Sequence, residues 1–544
     1  MYKFFFLSLS IYTLFFSACS HVETNPKVLK LECELDSSIL DHSNVITVSK
    51  EGHRLFKGDM EVEYPYQVSS RGCIIIPKNS DYDLVIKSDK HGKRLKVKNI
   101  PEGFNLNFVE LDEFQTNFQI FSYCGFEPQD SNMVVKILDS HNLPHEEVTY
   151  ETKYGDFHTA KVNNQGCIEV PKIPGRILAN DKTYITLRRV NDFITVEKEK
   201  SNFDNFLTVC KREGKNDPII NAFSKIYPDE SESCDDLYAK ARLHKKLGTE
   251  LYLAGIKDIS ALRGLDNLEV LNLIDNNITD ISPLKELKKL NLLALAGNDI
   301  LFFDNVPSSI KQFVAGPSLG SLKSMKHVEG LEQIAIGSSD LRDLNDFSLF
   351  AKTLYAISAR ELRNVKNEKI DGEFKNLHHL KINLNPSFAK ALTDGLNAPL
   401  LRDVYAEECK ISDISWVKNH PNIKTLDLKW NNLVRVDELG DLEHLHTLIL
   451  DRNPIKFTPN LSSLRNLEII KMRSCQITSI EGLLADNVKD LSIQASPIKD
   501  LSLLRNNTSI TFLDARECPL VNCPEDSSSI GVQAFCKNWN KENT

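Results

Sequence analysis

The 544 residues contain no Cys-x-x-Cys, no His-Glu-x-x-His and no glycine-rich phosphate loop. The commonest short signatures of a thiol redox centre, a zinc protease and a nucleotide pocket are therefore missing. There is no basic stripe either. The net charge is −9 and is spread along the chain. A nucleic-acid ligand needs clustered Lys and Arg to neutralise its phosphates, so that class is set aside. After the first residues no apolar run reaches the ~20 residues of a membrane-spanning helix. No metal, no cofactor and no enzymatic activity is expected.

What the sequence has is a period of 22 residues. The skeleton Leu271, Leu273, Asn276 and Ile278 recurs at Leu293, Leu295, Asn298 and Ile300. It returns at Leu426, Leu428, Asn431 and Leu433, at Leu448, Leu450, Asn453 and Ile455, and at Ile470, Met472, Cys475 and Ile477. A unit this short cannot bury its own apolar face and must stack on copies of itself, giving a long, regular, curved surface. Strand starts are expected at thirteen places: Thr249, Leu271, Leu293, Phe313, Ile334, Ile357, Leu380, Val404, Leu426, Leu448, Ile470, Leu491 and Leu513. Alternation sends Leu271 and Leu273 inward and Val270, Asn272 and Ile274 outward. Ile278, Ile281, Leu284 and Leu287 fill the rest of the coil. A buried Asn at 276, 298, 385, 431 and 453 can donate and accept toward neighbouring coils. Ser339, Cys409, Cys475, Ser496 and Cys518 take the same place, so those cysteines are expected buried and unpaired.

The pattern Leu-x-Leu-x-x-Asn-x-Ile-x-Asp-Ile-x-x-Leu resembles the leucine-rich repeat of internalin-like bacterial proteins. The resemblance implies a right-handed solenoid with a parallel sheet over residues 247–520, in about 13 repeats. Helical spacing in Ile219 to Tyr227, and acids opening the run at Asp235, point to a helical N-terminal cap over 210–246. A cap and tail are expected over 521–544, with a short helix stapled back through Cys523 and Cys536.

Ahead of the repeats the texture is strands and turns. Arg71-Gly72-Cys73-Ile74-Ile75-Ile76-Pro77-Lys78 matches Gln165-Gly166-Cys167-Ile168-Glu169-Val170-Pro171-Lys172. The upstream cysteines also match, Cys33 with Cys124. Two tandem β-sandwich domains are expected, 30–113 and 114–209, each with room for one disulfide. The turn-Gly-Cys-apolar-x-apolar-Pro pattern is similar to transthyretin-like or immunoglobulin-like modules, which implies spacers that present the array. Binding carbohydrate or peptide themselves is the other reading. Pairing is expected among Cys33 and Cys73, Cys124 and Cys167, Cys210 and Cys234, and Cys523 and Cys536, although spacing alone does not fix connectivity.

Residues 1–18 have the layout of a signal peptide: Lys3, an uncharged apolar run from Phe4 to Phe16, then Ser17-Ala18-Cys19. The segment resembles a bacterial lipoprotein signal, with Phe16 where Leu is usual. That implies lipidation of Cys19, a linker over 19–29 and, because Ser20 follows, an outer-membrane anchor. An ordinary secretory signal with an incidental Cys is the alternative.

Two motifs could carry chemistry. Gly316-Pro317-Ser318-Leu319-Gly320 fits G-x-S-x-G, but a nucleophile elbow needs a strand, a turn and a helix, and Ser318 falls on the repeat's Asn position. His378-His379 and His444-Leu445-His446 lack zinc-type helical spacing. The outward strand positions of the later coils are more informative. They offer Tyr405, Glu407, Asp427, Lys429, Trp430, Asp451, Arg452, Lys471, Arg473, Asp514 and Arg516, mixed charge around an aromatic. Trp, Tyr and Arg are over-represented among residues that carry binding energy, and charge of both signs favours a protein partner. The expectation is a lipid-anchored protein that binds another protein through the concave face of its array. A structural component of the envelope, with the array packed on a permanent partner, is the alternative.

Overall fold

The computed structural model describes the backbone of short strands between Ser43 and Asn107, most of residues 131–196, and residues 204–543 apart from 231–232 and 249–252. Cys19, Cys33 and Cys124 lie outside the described residues. The chain divides into two units, residues 1–127 with 193–195, and residues 128–192 with 196–544.

In the first unit Ser43–Lys50 runs antiparallel to Cys73–Pro77, with Thr47 opposite Cys73. In the second unit Asn132–Ile137 runs antiparallel to Cys167–Pro171, with Lys136 opposite Cys167. The duplicated Cys-apolar-x-apolar-Pro motif thus opens an equivalent strand in each copy. Cys167 is disulfide-bonded. A four-stranded antiparallel sheet completes the second copy, in the order Phe157–Lys161, Glu147–Thr152, Gly175–Ala179, Lys182–Leu187. Met133, Val134, Val135, Tyr150, Ile168, Val170 and Ile177 are buried between and around these strands.

Three short helices follow: α1 (Phe206–Glu213), α2 (Pro218–Ile226) and α3 (Cys234–Ala241). Each starts on a side chain that accepts from the first free backbone N–H groups: Asn205, Asp217 and Ser233. Pro218 sits just inside α2, where its missing N–H costs nothing. The Cys210–Cys234 disulfide ties α1 to α3, and Phe206 packs on Phe223 and Tyr238 with ring centroids 5.7 and 5.4 Å apart.

A parallel sheet of thirteen strands then runs in strict chain order. Its strands define coils 1 to 13: Lys246–Leu247, Val270–Asn272, Leu292–Ala294, Gln312–Ala315, Gln333–Gly337, Ala356–Arg360, His379–Lys381, Asp403–Tyr405, Thr425–Asp427, Thr447–Ile449, Ile469–Lys471, Asp490–Ser492 and Phe512–Asp514. From coil 2 on, the inward residue of every strand is the one the period picks out, Leu271 through Leu513. Coil 1 departs from it. Leu271 pairs with Leu247, not with Thr249, which lies outside the described residues. The first coil is two residues longer than the period, so a fixed step of 22 overshoots its strand.

One continuous apolar core runs from Phe206 to Cys536. Coil 7 carries an inserted helix, α4 (Pro386–Thr393), where most coils close through a 3-10 turn or an irregular segment. Asn385 keeps the expected ladder place, donating to the Ala359 carbonyl of the preceding coil at 3.5 Å, and also caps this helix by accepting from the Phe388 N–H at 3.2 Å. At the far end α5 (Ile530–Asn543) is held by the Cys523–Cys536 disulfide. It lies against the last strand so closely that a Cβ on Gly531 would meet the Thr511 carbonyl oxygen at 2.5 Å.

The second β copy does not stand clear of the array as a free spacer would. The turn between Glu147–Thr152 and Phe157–Lys161 is seated on the loops that leave the strands of coils 4 and 5. Lys153 Nζ donates to Asp340 at 2.5 Å, and the Arg342 guanidinium lies 3.3 Å from the Tyr154 ring centre. Gly320, the last residue of the G-x-S-x-G motif, leaves room for this turn: a Cβ there would meet the Lys153 carbonyl oxygen at 2.5 Å. Nearby, Arg176 bridges Glu151 and Asp304 at 2.7 Å each, over the Phe302 ring. Arg188 donates to the Thr279 and Asp299 carbonyls at 2.8 Å.

Candidate functional site

Each coil is closed by a side chain that replaces missing backbone partners. Asn431 donates to the Ala406 and Leu428 carbonyls (2.7 and 2.9 Å) and accepts from the Ile411 N–H (2.9 Å). Asn276, Asn298 and Asn453 repeat this arrangement. Where the residue is Cys, the thiol donates instead: Cys409 to Ile382, Cys475 to Leu450 and Cys518 to Ile493. All three are buried and free. Burial pushes the Cys409 thiol up to about 11 and that of Cys475 up to about 12, far from a reactive thiolate. Ser318 occupies the same place by count and donates its hydroxyl to the Asn298 carbonyl at 2.8 Å.

The residue immediately before the Asn, Cys or Ser of the ladder, or before Leu362 in coil 6, has a left-handed backbone in coil after coil. Asp275, Ser338, Glu361, Leu384, Glu408, Trp430, Arg452, Ser474, Ala495 and Glu517 all have φ between 49 and 61°. The amide there reaches the next coil, as from Trp430 to the Asp451 carbonyl and from Arg452 to the Arg473 carbonyl, at 2.8 and 2.7 Å. This geometry turns the side chain out at the rim of the sheet's outer face. Trp430 is 49% exposed there, with the Arg452 guanidinium 4.3 Å from its ring centre.

The remaining outward residues are brought together mostly as pairs. Asp451 accepts from Arg473 Nε and Nη2 at 2.9 and 2.5 Å and from its backbone N–H at 2.7 Å, which holds the guanidinium pKa above its ordinary value. Asp514 accepts from Arg516 Nε and Nη2, both at 2.8 Å, and that bond holds the carboxyl below the usual range. Lys429 lies 3.3 Å from Glu407 and 3.6 Å from Asp427. Burial works against its ammonium, but the two carboxylates outweigh it and raise its pKa. Asp427 is pushed up because burial outweighs the neighbouring cation. Asp427, Asp451 and Asp514 are only 7, 4 and 7% exposed. They were expected as contact residues, yet the structure sets them beneath the face, where they orient the cations above. Tyr405 and Lys471 are half-buried on coils 8 and 11. The face that remains for contact is Trp430, Arg452, Lys471, Arg473 and Arg516.

Sequence reasoning missed Arg360 and Lys381, which stand on the same face in coils 6 and 7. Their outward strand positions were the available signal. The histidines lie at the start of strands. His379 Nδ1 is 2.7 Å from Asp403, His378 stacks on Tyr355, and His446 is 3.4 Å from Glu468. Among the described residues no three His, Cys, Asp or Glu side chains gather as a metal site.

Residues 249–286 match the family model described as Leucine Rich repeats (2 copies). No curated protein matches the sequence. Among solved structures, an internalin (inlF) from Listeria monocytogenes is 19% identical, with a TM-score of 0.38, over 56% of this chain and 82% of that one. The functional domain of InlJ from Listeria monocytogenes, described as including a cysteine ladder, is 15% identical with a TM-score of 0.33, over 51% of this chain and 54% of that one. The LRR protein LIC12759 of Leptospira interrogans is 18% identical with a TM-score of 0.32, over 43% of this chain and 63% of that one.

Proposed function

We propose that this chain is a membrane-anchored lipoprotein that binds a protein partner through the outer, concave face of coils 8–13. Leucine-rich repeats generally mediate protein–protein interaction. The observation that carries the reading is Trp430. A large aromatic, half in water on a left-handed residue, is costly to keep unless its face is used. Arg452 stacks on it and Arg473 is held rigid by a buried carboxylate, so both cations are already ordered before a partner arrives.

The anchor rests on the segment ending at Cys19. Acylation there would place the chain at the outer membrane, with two β-sandwich modules between lipid and repeats. The test is crosslinking in intact cells followed by mass spectrometry, comparing wild type with Trp430→Ala and Arg473→Glu. Each variant is expected to lose at least about tenfold of the crosslinked partner, the loss of about 1.4 kcal/mol or more typical of a central contact. Unchanged capture by both variants sinks the proposed face. A partner that stays bound through purification in stoichiometric amount would favour the alternative, a permanent component of the envelope.

A further inference from the structure

The outer face holds two cations that its internal ion pairs leave out. Arg360 ends the strand of coil 6 and is exposed, while Lys381 ends that of coil 7 and is half-buried. The carboxylates that act on Lys381 are Glu407 and Asp427, and both are already engaged by Lys429. Glu407 also accepts from Asn383 at 3.0 Å. Beside Arg360, Glu361 accepts from the Ser338 hydroxyl at 2.9 Å and lies 3.2 Å from Arg363. Asp403 is taken by His379. Among the described residues neither Arg360 nor Lys381 has an ion pair of its own, because Lys429 engages the two carboxylates that act on Lys381. Burial, with repulsion from Arg360, lowers the pKa of the Lys381 ammonium, as a missing counter-ion would.

The neighbouring strand positions are small. Sheet register sets Lys381 beside Ser358 and Arg360 beside Gly337, with Ala335 and Ala356 adjoining. A side chain from outside can therefore lie against the sheet and still reach both cations. We infer that Arg360 and Lys381 receive an aspartate or glutamate side chain of the partner protein, over the small residues of coils 5 and 6. The inference rests on the proposal that a protein docks on this face, and it extends that face two coils toward the N-terminus. The Arg360 guanidinium offers a fork of N–H donors matched to a carboxylate, and Lys381 supplies a second charge from the adjoining coil. A carboxylate arriving here meets a Lys381 ammonium already partly stripped of water, which favours the bond and disfavours uncharged isosteres. A polyanion would be read less well, because Glu407 and Asp427 lie close by and repel a chain of charges.

Dye-labelled deca-glutamate and deca-glutamine peptides test this on the purified full chain, by fluorescence anisotropy at low and moderate salt, with a heparin oligosaccharide as a third probe. The glutamate peptide is expected to bind, weakening with salt, and the glutamine peptide is not. Arg360→Gln with Lys381→Gln should weaken glutamate-peptide binding roughly tenfold or more. Lys288→Gln, an exposed lysine outside the sheet's face, should change it less than about twofold. Amine acetylation at neutral pH, read by mass spectrometry, should be prominent at Lys381 and suppressed by the glutamate peptide. Equal binding by the double variant, binding of heparin in preference to the peptide, or unprotected Lys381 would each overturn the inference. Because Trp430→Ala and Arg473→Glu retain Arg360 and Lys381, lost partner capture in those variants alongside intact peptide binding separates the two claims. Intact partner capture in the double variant overturns this one alone.

Discussion

At the scale of single residues, His420 is the group whose burial has the clearest thermodynamic consequence. Its Nδ1 meets the Ala398 carbonyl at 3.1 Å, so that nitrogen carries the proton and donates. Nε2, and the neighbouring Trp416 Nε1, have no hydrogen-bond partner among the described residues. Burial keeps the imidazole's pKa below its ordinary value. A histidine depressed in the folded state gives stability that is present above the unfolded pKa, near 6.5, and is lost as pH falls below it. The unfolded chain takes up a proton there that the folded chain refuses, at up to about 1.4 kcal/mol per pH unit. His420→Gln should keep the bond to Ala398 and remove that slope. Urea midpoints measured between neutral pH and pH ~5 should therefore fall more steeply for wild type than for the variant. Parallel curves would show that His420 is not the group responsible.

At the scale of the coil, the recurring left-handed residue is the device that turns the strand toward the core. Asn, Cys or Ser follows it in most coils and Leu362 in coil 6, and its own N–H bonds to the next coil, as at Trp430, so each coil needs its successor to justify the turn. An L-residue with a Cβ is strained there by roughly 1 kcal/mol, and glycine is not. Ala495, with φ of 56°, is the simplest place to measure it because its side chain makes no polar contact. Ala495→Gly should raise stability by about 0.5–1 kcal/mol, and Ala495→Val should lower it by about 1–2 kcal/mol. Denaturant midpoints read both signs. A loss of stability in the glycine variant would mean that the conformation is not strained.

At the scale of the molecule, residues 128–192 and the array act as one body because a β-turn is seated on the flank of coils 4 and 5. Gly320 is the test of that seat, since any side chain there must displace the Lys153 backbone. In Gly320→Val the amides of residues 152–156 should exchange at least about tenfold faster, a docking loss of about 1–3 kcal/mol, while the strands of coils 4 and 5 stay protected. If the turn's exchange is unchanged, the module is held by its other bonds, those of Arg176 and Arg188. The flank it covers is closed to a partner, which leaves the outer face of the sheet as the open surface of those coils.

The sequence by itself determined the stacking of this protein, because each coil seals the next at a fixed distance along the chain. Leu271, Leu273, Asn276 and Ile278 meet their copies one period away, and a rule that repeats can be read without coordinates. The buried fate of Cys409, Cys475 and Cys518 was legible for the same reason. The period failed at coil 1, where the chain is two residues longer, whereas Asn385 keeps its ladder bond and caps an inserted helix besides. Only the tertiary structure decided which outward charges are spent internally. Asp451 and Arg473 sit at equivalent strand positions, yet one is buried as an anchor and the other stands above it. It alone decided the seat of the β-turn, where Lys153 meets Asp340 across 187 residues. That contact depends on two separately folded surfaces happening to fit, and a fit of that kind leaves no period in the chain.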